Sequence, residues 1–457
     1  MYERWTYFLL GCLHLATAAR LPRNALTESI LHYEPLVYNR DKLISDHTRV
    51  RRSLEPLGGE DTLHLNFRAH DRTFDLHLKR DITLFADGLQ IDDDTDFHPA
   101  NVYEGGLYGE PDSIVHGFVH DGIFEGRVHT QDGSEFHIES AKPYKLDNDT
   151  VHSVIYDTKD ISYKLPRQCG GVLARTKYNL DVNTTTMSGG VRDEDKIMFE
   201  PDIESLSDHF ARRRRHRREV TPTSRKTVCH LYVRADPTYK EHAESDARAT
   251  YMMSQHVKRV SQIFRTTDFN NDPDPNAVQA GYTLNIKRIG VINTKGCTDG
   301  DKTTTRCRYK DDNIGVEKFL DIASLEDHSQ YCLSYVFAHR DFSEGVLGLA
   351  WIGDIGGAGG ICDPYQSIRG AMKSLNTGIV SNFNYGKTVP SKVTDITLAH
   401  ELGHNFGSPH DPITGPNKAI CAPGGALGNF IMYPRATSGS EGNRIMIRLH
   451  KIGEKLI

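Results

Sequence analysis

His400-Glu401-Leu402-Gly403-His404-Asn405-Phe406-Gly407-Ser408-Pro409-His410-Asp411 is the stretch on which the reading of this chain turns. Val393, Ile396, Leu398 and Ala399 precede it and supply the buried face of a helix. Residues four apart lie one turn apart on the same helical face, so His400 and His404 can present two imidazole nitrogens to one metal ion. Gly407 can take a positive φ and end the helix, and Pro409 keeps it from resuming. The chain then turns back and His410 closes the site. Three protein ligands with one position open to water is the arrangement of a catalytic Zn2+ site. Glu401, next to the first ligand, reaches the water without binding the ion. It acts as general base during attack and as acid toward the leaving amine. Two histidines at this spacing occur on ordinary helix surfaces, but a glycine and a third histidine at fixed offsets make chance a poor explanation. The expected activity is zinc-dependent hydrolysis of peptide bonds, with one catalytic Zn2+ and no covalent acyl-enzyme.

Upstream of this stretch, strand and helix patterns alternate. Strands are expected at 228–233, 282–292, 332–337, 346–352 and 374–383. Helices are expected at 243–264, with Ala247, Tyr251, Val257, Val260 and Phe264 in one stripe, and at 316–325. That order predicts an α/β unit, a mixed and mostly parallel sheet with packed helices. The region 61–139 differs. Leu63, Leu65 and Phe67, then Phe74, Leu76 and Leu78, alternate with polar residues, which predicts an antiparallel meander with one polar face. Asp87-Gly88, Asp121-Gly122 and Asp132-Gly133 read as its hairpin turns. His116, His120, His129 and His137 lie in these strands; they could ligate a metal, but scattered solvent-facing histidines are the reading preferred.

Between the two patterns lies a basic run, 212–218. It contains Arg215-x-Arg217-Arg218, the paired-basic site of secretory proprotein convertases, with Glu219 as the new N-terminus. At the start of the chain, Arg4, an apolar run over 5–15 and Ala16-Thr17-Ala18 make a signal peptide over 1–18. No later run is apolar for long enough to cross a bilayer, so the chain as written carries no membrane span and reads as secreted. Of the eight cysteines, Cys12 leaves with the signal peptide and seven remain, an odd number for an oxidising compartment. Cys169 stands alone in the first half. Its thiolate can be a fourth zinc ligand that latches a zymogen, or the residue can be a buried thiol. Asn148 and Asn183 open glycosylation sequons. The net charge is −6 in 457 residues, so one arginine cluster is not a basic surface and nucleic acid is excluded as a partner.

The H-E-x-x-H-x-x-G-x-x-H spacing is that of the metzincins, which also place a methionine in a tight turn beneath the metal. Met432, in Asn429-Phe430-Ile431-Met432-Tyr433, suits that place and would also serve as ordinary core packing. With Asp411 after the third histidine, and with 313–320, 345–351, 374–379 and 432–437, the chain resembles the ADAM (disintegrin and metalloprotease) family, Kuzbanian or α-secretase type. The resemblance implies a prodomain over 19–218, with the latch at Cys169 and the convertase site at Arg218, and a catalytic domain over 219–457. It implies that Gly348-Leu349-Ala350 form the edge strand that pairs with substrate, and that Cys229 bonds Cys332. It implies substrates among type I membrane proteins, Notch-type receptors included. The family continues into disintegrin and cysteine-rich regions and a membrane span, and a longer form with that span would reside at the cell surface. Here 444–457 departs from the family pattern, and Cys362 and Cys421 either pair with each other or stay as thiols. Cys297 and Cys307, ten apart, make an extra local disulfide, worth up to about 3 kcal/mol in the chain-entropy model. A second reading is a truncated secreted form that binds substrate or inhibitor without turnover.

Overall fold

The computed structural model describes residues 29–52, 62–92, 95–144, 146, 151–162, 227–267, 281–298, 300–354, 358–368, 370–411 and 429–434. The signal peptide, Asn148, Cys169, Asn183, Arg215, Arg217, Arg218, Cys421 and 443–457 lie outside these residues.

The first unit is an eight-stranded antiparallel sheet wrapped on an apolar core. Its strands are β1 (Glu34–Leu36), β2 (Leu63–Ala69), β3 (Arg72–Arg80), β5 (Val102–Leu107), β6 (Glu110–His120), β7 (Ile123–His129), β8 (Glu135–Ser140) and β9 (Ser153–Asp157). They run in the order β1-β9-β8-β7-β6-β5-β3-β2. Leu63, Leu65 and Phe67 of β2 and Phe74, Leu76 and Leu78 of β3 point inward, because a pleated strand sends alternate side chains to one face. Helix α1 (Arg40–Arg52) adds Leu43 and Val50 to that core.

Strand β4 (Phe85–Ile91) leaves this meander. Asp87-Gly88 is not a hairpin turn: it lies within β4, which runs parallel to a strand of the second unit. The ladder slips between the pairs Phe85–Ile286 and Gln90–Arg288, so the extra β4 residues bulge out. A bulge uses the same positive φ as a turn, here 67° at Gly88, and this is why the dipeptide misleads. Asp121-Gly122 and Asp132-Gly133 do join β6 to β7 and β7 to β8.

The second unit holds β10 (Val228–Ala235), β11 (Thr283–Val291), β12 (Leu333–Ala338), β13 (Gly348–Ala350) and β16 (Thr377–Ser381). Small hairpins β14 (Gln366–Ile368)–β15 (Ala371–Lys373) and β17 (Phe383–Asn384)–β18 (Lys387–Thr388) decorate it. The sheet order is β13-β16-β12-β10-β11-β4, parallel except for the edge strand β13. The helix expected over 243–264 is α3 (Asp246–Thr266), and a short helix that was not expected, α2 (Pro237–Ala243), precedes it. Glu244 turns left-handed at φ 66°, and the Ser245 hydroxyl caps α3 by accepting from Arg248 N–H at 3.1 Å. The whole predicted stripe of α3 is buried.

Helix α4 (Val316–Ala323) covers one face of the sheet, and α3 with α5 (Ser391–Asn405) covers the other. Period-two alternation divides β12 between them: Leu333, Tyr335 and Phe337 meet α3 and α5, and Val336 and Ala338 meet α4. Disulfides join Cys229 to Cys332 and Cys297 to Cys307. Cys362 is at the surface, its N–H donating to Cys332 O at 2.8 Å.

The polar face of the barrel is not solvated as expected. His116 and His137 are 1% exposed, and His120 and His129 are half-buried, because α3 and α5 lie across β6, β7 and β8. Glu125 takes a two-pronged ion pair from Arg248 of α3, both contacts at 2.7 Å. Arg127 bonds Asp395 of α5, whose other oxygen meets His256 Nδ1 at 2.6 Å. Glu135 binds Lys392, and His116 Nδ1 meets Gln255 at 3.0 Å.

Candidate metal centre

Helix α5 is buried nearly all round, so its polar residues are there for a purpose other than solvation. It ends as the glycine predicts. Gly407 takes φ 91°, its N–H and that of Gly353 both donate to His404 O, and Ser408 N–H donates to Gly403 O at 2.9 Å. The reversal brings His410 back over the helix.

His400, His404 and His410 converge. Their Nε2 atoms lie 3.1 Å (His400–His404), 3.2 Å (His400–His410) and 3.2 Å (His404–His410) apart. His400 Nδ1 faces Ile431 O at 2.6 Å and His404 Nδ1 faces Ser408 O at 2.8 Å. A carbonyl only accepts, so both Nδ1 atoms carry hydrogen and both Nε2 atoms carry lone pairs. Two lone pairs 3.1 Å apart repel unless a cation lies between them. Ligands bound at about 2.0–2.1 Å in tetrahedral array stand about 3.3–3.4 Å apart, so the triplet fits one Zn2+-sized ion. Burial lowers the pKa of His410 to about 3 and keeps it in the neutral, ligating form. The backbone carbonyls on Nδ1 orient the rings as outer partners of metal-bound histidines do.

Met432 is fully buried under this helix. A Cβ on Gly403 would lie 2.4 Å from Met432 Sδ, so only glycine lets the methionine reach the turn between the two helical histidines. The same segment supplies Ile431 O to His400, and Met432 O accepts from Asp411 N–H at 2.8 Å. Burial raises the Asp411 carboxyl to about 6.

Glu401 is fully buried, beside edge strand β13. A Cβ on Gly348 would come within 2.6 Å of Glu401 Cγ and Oε1, so the carboxylate packs directly on the strand backbone. The structure therefore brings together His400, His404, His410, Glu401, Met432 and Gly348. Leu349 and Ala350 continue β13, paired antiparallel to β16.

Two residues escaped the sequence reading. Tyr335 on β12 bonds Asn405 at the end of α5, and Asn405 Nδ2 donates to Trp351 O at 2.8 Å. Together they tie the helix terminus to the end of β13. Burial first and the Glu401 carboxylate second push the Tyr335 hydroxyl well above its usual pKa, so it stays a neutral donor. The Asn405 that follows His404 was the available signal.

Known proteins resemble this chain over most of its length. Residues 225–444 match the family model Reprolysin_5, metallo-peptidase family M12. The chain is 39% identical over 435 residues to disintegrin and metalloproteinase domain-containing protein 10 of Rattus norvegicus, covering 92% of this chain and 54% of the relative. The Homo sapiens protein gives the same identity and coverage. A Caenorhabditis elegans homolog is 33% identical over 457 residues, covering 92% and 48%. The chain thus spans about half the length of the curated relatives it matches.

Proposed function

Because the chain belongs to the ADAM branch of the M12 metallo-peptidase family, we propose that it is the zymogen of a metzincin zinc endopeptidase. The convergence of three histidine Nε2 atoms beside a buried glutamate carries this reading. His400, His404 and His410 hold the ion. When bound, Zn2+ makes a water nucleophilic near neutral pH and polarises a carbonyl. Glu401 takes the proton from the attacking water and returns it to the leaving amine. Edge strand Gly348-Leu349-Ala350 aligns the peptide by strand addition, which sets the scissile bond beside Glu401. Met432 supports the site from below.

In this reading 1–18 is a signal peptide, 19–218 a prodomain and 219–457 the catalytic domain. Cys169 blocks the open metal position until a proprotein convertase cuts after Arg218, at the site formed by Arg215, Arg217 and Arg218. The enzyme works in the secretory pathway or at the cell surface. Its substrates are ectodomains of type I membrane proteins, Notch-type receptors among them, and Asn148 and Asn183 carry glycans.

The test is hydrolysis of a quenched fluorescent peptide by convertase-treated protein, beside Glu401→Ala and a chelated sample. Cleavage should fall by at least about 100-fold in both. A Glu401→Ala protein that cleaves like the wild type would refute the assigned base. In the uncleaved zymogen, Cys169→Ala should release activity.

A further inference from the structure

The barrel has a seam. Strands β1 and β2 end the eight-strand order; they lie side by side, but no ladder joins them. What crosses the gap is side-chain chemistry. Glu34 of β1 accepts through Oε2 from the His70 N–H at 2.9 Å. His70 and Asp71 form the tip of the β2–β3 hairpin, in left-handed backbone at φ 48° and 56°. His32, two residues before Glu34, places Nε2 3.5 Å from Glu34 Oε1. Its ring meets the His70 ring edge to face, with centroids 5.2 Å apart.

From these contacts we infer that His32, Glu34 and His70 form a second divalent transition-metal site, of Zn2+ type, that clasps this seam. One ligand atom from each residue lies within 4.8 Å of the other two. Two imidazoles and one carboxylate form a known ligand set for Zn2+, with the fourth position left to water. Two imidazoles disfavour Ca2+ and Mg2+, which take oxygen ligands. His70 Nε2 faces Ile155 O at 3.4 Å, longer than a good hydrogen bond, so the ring stays available as a ligand. The 3.5 Å contact between His32 and Glu34 is too long for a good hydrogen bond, so it does not account for the convergence. Around one ion the ligand atoms must close to about 3.4 Å. His32, with 56% of its side chain exposed, has the rotational freedom to do so. The ion would complete by coordination the junction that β1 and β2 leave without a ladder.

The experiment is a metal count on the full chain, stripped with chelator, reloaded with Zn2+ and desalted, with a thermal melt of each sample. The wild type should hold two equivalents, and His32→Gln one. His70→Asn, which suits left-handed backbone, should also hold one. His404→Ala should keep one, and lose it when combined with His32→Gln. The Zn2+-dependent rise in melting temperature should be smaller in His32→Gln than in the wild type, and should vanish only when His32→Gln is combined with His404→Ala. His64 and His77 also pair across β2 and β3, with rings 4.0 Å apart, so His64→Gln is the control and should leave the count unchanged. A wild type with one equivalent, a His32→Gln protein that keeps two, or a loss caused by His64→Gln instead would overturn the proposal.

Discussion

The two halves of α5 use buried polar residues in opposite ways. The first half, Ser391, Lys392 and Asp395, meets partners on the eight-stranded sheet and on α3: Glu139 and His137, Glu135, and Arg127 with His256 of α3. The second half, His400 and His404, turns its nitrogens toward each other and toward His410, the arrangement of a ligand set for a cation. The first end is thus built as a docking surface and the second as a ligand set. Burial of charge in the first half locks the two units together; burial of neutral imidazole in the second prepares a ligand set.

The largest effect should come from breaking the lock. Burial pushes the Asp395 carboxyl up, but Arg127 and His256 together hold it well below the usual carboxylate range. Arg127→Ala leaves this carboxylate with His256 alone, and removing one partner of a buried pair costs about 3–5 kcal/mol. The urea midpoint of the full chain should fall accordingly. Arg127→Met combined with Asp395→Leu should recover much of the loss, because replacing both partners by apolar groups removes the stranded charge. A single variant as stable as the wild type would mean that the docked halves are not locked through Asp395.

The metal end of α5 was legible in the sequence and the docking end was not. His400, His404 and His410 sit on one helix and its reversal, so spacing alone brings them together. Gly407 announced the reversal by the backbone it permits. Arg127 and Asp395 are 268 residues apart, and no local pattern joins them. The barrel histidines misled for a related reason: alternation reports that a strand has a polar face, but not whether water or another element covers it. Here ion pairs to α3 and α5 cover it. Strand β4 hid in the same way, since its partner β11 is nearly two hundred residues downstream and its Asp-Gly pair mimics a turn.

At the metal end, Gly348→Ala is the sharper probe. The new Cβ would lie 2.6 Å from Glu401 Cγ and Oε1, so the carboxylate must move while the histidines need not. A displacement near 1 Å at a catalytic group costs about 100-fold. The convertase-treated variant should lose about that much kcat/KM, with zinc content unchanged. Loss of zinc as well would show that the glutamate and the histidines are positioned as one unit.

The smallest effect separates the two halves by pH. Burial, followed by the charge of Arg127, lowers His116 to about 4 and His137 well below its usual value. Burial lowers His129 to about 3, against the pull of Glu135. Such a histidine binds fewer protons folded than unfolded between its free pKa of about 6.5 and its folded value. Stability is therefore full above about pH 6.5 and declines as pH falls through that window, by up to about 1.4 kcal/mol per pH unit for each histidine. Asp395, Glu125 and Glu135 are shifted down instead, so their contribution persists until pH falls below the ordinary carboxylate range. Between pH 6.5 and about 5 the lowered histidines, His47, His242 and His328 as well as those of the interface, reduce stability as pH falls, while Asp411, raised to about 6, opposes them. The urea midpoint of the full chain should drop across that interval, and His137→Gln, which keeps a polar group between Ser391 and Thr158, should reduce the slope by up to about 1.4 kcal/mol per pH unit. A flat profile in the wild type would mean that the interface histidines are charged when docked, and the contrast between a charged docking end and a neutral ligating end of α5 would lose its barrel side.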